Sequence, residues 1–171
     1  MKIYLAADHA GFYLKKQLIQ YLELKDYNVE DCGAFEMDEA DDYPDFIIPC
    51  AQKVAKDINP DTGSGSLGIV IGGSGQGEAI AANKVKGIRA AVYYGGPSTH
   101  STNSVQASSG QAGAQIPKLA REHNDANILS LGARFLSNDD AKKGVTAWLE
   151  AKFEGGRHQR RLDKITKIEN D

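Results

Sequence analysis

The chain has 171 residues, a formal net charge of −3, 41% hydrophobic and 25% charged residues. That length fits a single domain over residues 1–171 with a real core, and no apolar run nears the roughly 18 residues of a membrane span. Two cysteines outside any Cys-x-x-Cys pair argue against a disulfide scaffold or a zinc site, and mild acidity argues against nucleic acid as a partner.

In chain order, Lys2–Ala7 is a short β-rich run that reaches an acid, Asp8, too early for a secretory leader. Leu14, Leu18, Ile19 and Leu22 then recur at helical spacing. Tyr27–Cys32 reads as a second strand. A loop with five acids between Glu36 and Asp42 leads into Tyr43-Pro44-Asp45, a good helix start. Pro49 inside that helix predicts a kink or a late start. Leu67–Ile71 is apolar without alternation, as a strand buried on both faces would be. Glycines follow, then a helix over Glu78–Val85. Arg89–Tyr94 and Asn127–Leu131 read as the fourth and fifth strands, with a helix over Ile116–His123 between them. Asn138–Phe153 is a helix carrying Trp148, and a basic helical tail occupies residues 155–171.

Strands alternating with helices imply an α/β fold, a three-layer Rossmann-like arrangement on a five-stranded parallel sheet. Ligands in such folds bind beyond the carboxyl ends of the strands. Asp8-His9, the Gly72–Glu78 loop, Tyr94 and the residues after Leu131 fall on that rim. Residues 95–115, rich in Gly, Ser, Thr, Asn and Gln, read as a long inserted loop, a length that calls for function or disorder.

Three constellations could carry chemistry. Gly72-Gly73-Ser74-Gly75-Gln76-Gly77-Glu78 lies between a buried strand and a helix, where amides can face an anion. It lacks the Gly-Lys-Ser/Thr of a P-loop and has Glu78 where a dinucleotide fingerprint has its third glycine. The plainer reading is a tight turn, but that needs fewer glycines than stand here. Glu78 is either a helix-dipole partner or a general base. In the tail, Arg157 and Arg161 share a helical face, with His158 beside them. This is a phosphate clamp or a solvated terminus. His123 near a helix end reads on its own as a cap, whereas His9 sits on the rim.

Together these motifs resemble the ribose-5-phosphate isomerase B family, which also includes galactose-6-phosphate isomerase subunits. The resemblance rests on Asp8-His9-Ala10-Gly11, Asp42-Tyr43-Pro44-Asp45, Gly73-Ser74-Gly75 with Ala81-Ala82-Asn83-Lys84, Arg121-Glu122-His123-Asn124-Asp125, Gly132-Ala133-Arg134 and Gly155-Gly156-Arg157-His158, in that order. It implies interconversion of aldose and ketose phosphates through a cis-enediolate, with no metal and no cofactor.

The family's usual base is a cysteine where this chain has Gly72. A branch with Gly-Gly-Ser-Gly-x-Gly-Glu uses the glutamate, which implies Glu78 as base here. Ser74 with the amides of Gly73, Gly75 and Gly77 would form the anion hole. The resemblance further implies that Asp8 holds hydroxyls, His9 lies near the phosphate and Tyr43 lines the pocket. His123 and Asn124 would serve ring opening and hydroxyl binding, and in this family they can come from a neighbouring subunit. Arg134, Arg157 and Arg161 would clamp the phosphate with His158 nearby. A histidine common after the fourth strand is replaced by Tyr94, which moves ring opening toward His123.

The expected substrate is a small phosphorylated sugar, first of all D-ribose 5-phosphate, and otherwise a tetrose, allose or galactose phosphate. A non-catalytic sugar-phosphate-binding subunit is the alternative class. A cytoplasmic homodimer or homotetramer with shared active sites is implied, with no membrane and no nucleic acid.

Overall fold

The computed structural model describes residues 1–58, 65–95 and 109–169, and for residues 109–113 the backbone alone. Five strands form one sheet: β1 (Lys2–Ala7), β2 (Asn28–Asp31), β3 (Leu67–Gly72), β4 (Ala90–Tyr93) and β5 (Ile128–Gly132). Their order is β2-β1-β3-β5-β4 and every pairing is parallel. Six helices connect and flank them: α1 (Phe12–Glu23), α2 (Pro44–Lys56), α3 (Gln76–Ala82), α4 (Ser109–Asn124), α5 (Asn138–Glu150) and α6 (Arg157–Ile168). None of the described helices is long and apolar enough to cross a membrane.

The central strands are apolar on both faces because both faces are covered. Ile3, Leu5, Ala7, Ile69 and Ile71 pack with Leu14, Leu18 and Leu22 of α1 and Val145 and Trp148 of α5. Their alternating neighbours Tyr4, Ala6 and Val70 pack against Ile47, Cys50, Ala51 and Val54 of α2 and Ala82 of α3. The period of two along β1 thus divides two cores rather than a core from solvent. The fully buried Lys15 of α1 sits inside this layer. Its Nζ donates to Asp31 Oδ1 at 2.5 Å and to the Ala34 carbonyl at 2.7 Å, tying α1 to the chain just beyond β2.

The chain leaves β1 toward β2 on one side and returns to β3 on the other. The carboxyl ends of β1 and β3 therefore flank the point where the winding reverses, which is where a crevice opens in this class of sheet. Gly11, in the turn after β1, sits so close to the end of β3 that a Cβ there would meet the Ile71 carbonyl oxygen at 2.5 Å.

Two expectations need correction. Residues 109–115 are not loop but the opening turns of α4, which begins at Ser109; the rest of the expected insert, 96–108, lies outside the described residues. Gln111, Ala112, Ala114 and Gln115 are good helix formers, and low aliphatic content hid that propensity. The second concerns Pro49, which does not delay α2: the helix runs from Pro44 to Lys56 with the proline inside it. Pro49 and Asp45, whose carbonyl loses its partner, are both exposed, so water can take up the bond. The expected tail helix is present as α6, with His158 and Leu162 buried and its other residues exposed.

Trp148 is the largest fully buried side chain and joins α5 to the sheet. Trp148→Ala should cost about 3–5 kcal/mol, read as a lowered midpoint in urea unfolding at unchanged slope.

Candidate active site

The β3–α3 turn sets the geometry of the crevice. Gly75 caps α3 in the left-handed region at φ 75°, which a residue with a Cβ rarely adopts. The buried Ser130 hydroxyl of β5 donates to the Gly75 carbonyl at 2.6 Å and pins the turn to the sheet. Ser74 Oγ accepts from the Gln76 amide at 3.3 Å.

Glu78 follows in the first turn of α3 and is only 4% exposed. Its carboxylate folds back over Gly72: a Cβ built on Gly72 would meet Glu78 Oε1 at 1.7 Å. The glycine at 72 is therefore what makes room for the acid. Oε2 is buried with no partner among the described residues. Burial pushes the carboxyl above its ordinary range, and the charge of Asp8 adds to that. The Glu78 and Gly75 amides and Arg134 pull the other way.

Around this acid stand most of the other expected residues. Asp8, at the end of β1, is buried and accepts from the Gly11 amide at 3.1 Å. His9 lies next to it, its Nδ1 2.6 Å from Asp41 Oδ1. Arg134 follows β5; its amide donates to the Gly73 carbonyl at 3.1 Å, and its guanidinium lies over Gly73, 3.0–3.2 Å from where a Cβ would stand. Tyr43, at the start of α2, closes the other side, its ring 2.9 Å from the Cβ position of Gly77. Tyr94 and Phe135 form an exposed edge-to-face pair at the rim, with centroids 6.1 Å apart. Asp41 was not singled out in the sequence. Five acids in one loop look alike until the fold shows that one of them meets His9.

The remaining expected residues form a second cluster elsewhere. His123 and Asn124 end α4 just before β5 begins, at the amino edge of the sheet. The carboxyl edge, where Glu78 lies, is about 16 Å away along the five residues of β5. His123 stacks on His158, with ring centroids 4.3 Å apart and planes 10° from parallel. Arg157 Nε donates to His158 Nε2 at 3.3 Å, and both histidines face Glu154 Oε2 at 3.7–3.8 Å. Burial holds the His158 pKa below its ordinary value, and His123 and Arg157 add to the effect. Arg161 is exposed one turn further along α6. One chain thus brings together Glu78, Ser74, Gly73, Gly75, Gly77, Asp8, His9, Tyr43 and Arg134, and sets His123, Asn124, Arg157, His158 and Arg161 apart from them.

Two groups of metal-ligating side chains occur among the described residues, His123–Glu154–His158 and Asp8–His9–Asp41. Neither is arranged as an open metal site. The two rings lie in stacked, nearly parallel planes with centroids 4.3 Å apart, and an arginine already donates to one of them. In the other group, Nδ1 of His9 is taken by Asp41.

Comparison with known proteins bears on what these groups do. The sequence model of the Ribose/Galactose Isomerase family matches residues 3–109 and 112–165. Probable ribose-5-phosphate isomerase B of Mycoplasma genitalium is 41% identical over 169 residues, 99% of this chain and 96% of that protein. Ribose-5-phosphate isomerase B of Mycolicibacterium paratuberculosis is 42% identical over 170 residues, 99% and 92% of the two chains. Among solved structures, that of Mycoplasma genitalium ribose-5-phosphate isomerase B with bound ribulose-5-phosphate superposes with a TM-score of 0.83 at 40% identity, covering 99% of this chain and 97% of that one. With nearly its whole length matched in sequence and in fold, the chain belongs to the ribose/galactose isomerase family.

Proposed function

We propose that this enzyme interconverts D-ribose 5-phosphate and D-ribulose 5-phosphate through a cis-enediolate, with Glu78 as the base and no metal in the step. The observation that carries the reading is the buried Glu78 carboxylate with one oxygen unpartnered, set at the carboxyl end of the central strand. A carboxylate raised toward neutrality by burial can take a proton from carbon and return it. The relatives' names and the ribulose 5-phosphate held by the Mycoplasma genitalium structure support the choice of sugar.

From aldose to ketose, Glu78 removes the proton from C2 and delivers it to C1. The C1–C2 bond becomes double in the enediolate and single again in the ketose. The O2 proton ends on O1. Ser74 and the glycine-loop amides, Gly73, Gly75 and Gly77, stabilise the charge on the enediolate oxygens. Asp8 and Tyr43 hold the sugar, and His9 and Arg134 face its phosphate.

A single chain leaves ring opening and much of the phosphate clamp unstaffed. We therefore place His123, Asn124, Arg157, His158 and Arg161 in the site of a second copy, across a homodimer. The stacked histidines suit that role: with His158 held neutral, one ring of the pair can accept the sugar's hydroxyl proton as the ring opens.

In an assay across tetrose, pentose and hexose phosphates, ribose 5-phosphate should give the highest kcat/KM. Glu78→Gln should lose turnover by at least about 10³-fold with KM little changed. In the wild type kcat should rise as pH passes upward through the Glu78 pKa, above the ordinary carboxylate range, since only the deprotonated acid is a base.

Gly72→Ala tests the seat of that base. The added methyl must displace the carboxylate, so kcat should fall about 10²-fold for a shift on the order of 1 Å while the fold survives. Unchanged kcat would show that the observed position of Glu78 is not the working one.

A subunit-mixing experiment tests the shared site. Glu78→Gln and His123→Ala chains are each expected to be inactive as homodimers. In the mixed dimer one of its two sites receives both native residues, so activity should return on mixing. Silence after verified exchange would place His123 in its own chain's site or outside the reaction.

A further inference from the structure

His9 is held at two points by one residue. Its backbone amide donates to Asp41 Oδ1 at 3.1 Å, and its ring Nδ1 meets the same oxygen at 2.6 Å. The Asp41 side chain is 7% exposed, and its second oxygen is buried without a partner among the described residues. The His9 ring is 31% exposed, and Nε2 takes no partner among the described residues. Thirty-two residues of chain separate the two groups. The chain after β2 that leads to Asp41 is fastened to the rim: Ala7 donates to the Gly33 carbonyl, Ala34 donates to that of Ala7, and Lys15 Nζ donates to that of Ala34.

We propose that Asp41 is a positioning residue of the isomerase reaction: it fixes His9 with Nδ1–H on the carboxylate and Nε2 turned to the substrate's phosphate. The inference rests on the reading above, in which His9 faces that phosphate.

The tautomer decides why a carboxylate is needed. With Nδ1–H committed to Asp41, a neutral His9 would present the lone pair of Nε2, which repels a phosphate oxygen. Only the imidazolium presents Nε2–H. Asp41 favours that form, first through its hydrogen bond and then through its charge. The other groups facing His9 are Asp8, from the β1–α1 turn, which also favours the cation, and Arg134, from the β5–α5 connection, which opposes it, as does partial burial. His9 therefore titrates above its ordinary value, and phosphate binding is lost as pH rises through that raised pKa.

Asp41→Asn separates orientation from charge, since the amide oxygen can still accept from Nδ1–H. The experiment compares wild type and variant by imidazole ¹⁵N NMR and by kcat and KM for ribose 5-phosphate, from about pH 5.5 to about pH 9. In the variant the His9 titration should move to lower pH, and the rise of KM should move with it. Near neutral pH KM should be about 3–10-fold higher; at the acid end the two should coincide, with kcat within about twofold throughout. In a His9→Gln background, Asp41→Asn should not change KM further. An unmoved His9 titration, or a KM raised by one factor at every pH, would overturn the proposal, the latter being what a merely structural role produces. Normal turnover with an unmoved titration sinks the pair and spares the functional reading. Failure of the wild type to turn over any sugar phosphate sinks the functional reading, and with it the role given to Asp41.

Discussion

Everything at the crevice depends on a missing side chain. Glu78 lies on a short helix whose first turn points back at the end of β3, and its carboxylate fills the volume that a Cβ at position 72 would take. Glycine there admits the acid; the left-handed Gly75 turns the chain so that α3 starts close enough to deliver it. The acid is thereby buried against a strand end with one oxygen unpaired, an arrangement that disfavours its charged form. A protein selected for stability alone would not keep an unpaired buried carboxyl, whereas a base that must hand a proton between two carbons gains from a raised pKa. On this reading the family's two ways of supplying a base converge on one point in space. One is a side chain on residue 72, the other a side chain reaching over a glycine at 72.

The second organising fact is the division of the expected site between the two edges of one sheet. Strand length sets the gap. The amino-edge cluster is ordered in its own right: Glu154 donates its amide to the Glu122 carbonyl, which holds the α5–α6 connection against the end of α4 and sets His158 on His123. Two stacked imidazoles resist a second charge, so burial and the neighbouring Arg157 keep His158 neutral beside a cationic surface. Within the proposed homodimer each copy would complete the other.

The sequence made the scaffold legible and the site half legible, for physical reasons. Unbroken apolar strands and helical spacing along α1 reflect burial, which composition records directly, so the parallel sheet and its rim could be read. Pro49 misled as to a late start because the rule against proline concerns a lost bond, and an exposed turn can pass that bond to water. Residues 109–115 misled because polar helix formers look like loop. Glu78 stood out by its place after four glycines, but its contact with Gly72 is a property of backbone geometry. Asp41 carried no signal, since its partner lies 32 residues away and its neighbours are acids too. The separation of His123 from Glu78 was implicit in the strand–helix order: a residue just before a parallel strand and one just after another cannot share an edge.

The two titrating groups of the crevice pull in opposite senses. In the proposed mechanism Glu78 would work only when deprotonated and His9 would meet a phosphate only when protonated, so the two pKa values would bound the working range. Burial raises the first and Asp41 raises the second, so the whole interval moves upward rather than closing. Asp8 contributes to both shifts, being the like charge beside Glu78 and the opposite charge beside His9. Arg134 opposes both. One aspartate and one arginine on the rim therefore move both groups in the same direction. Asp41 raises the His9 limit and burial raises the Glu78 limit, so each moves one end of the range.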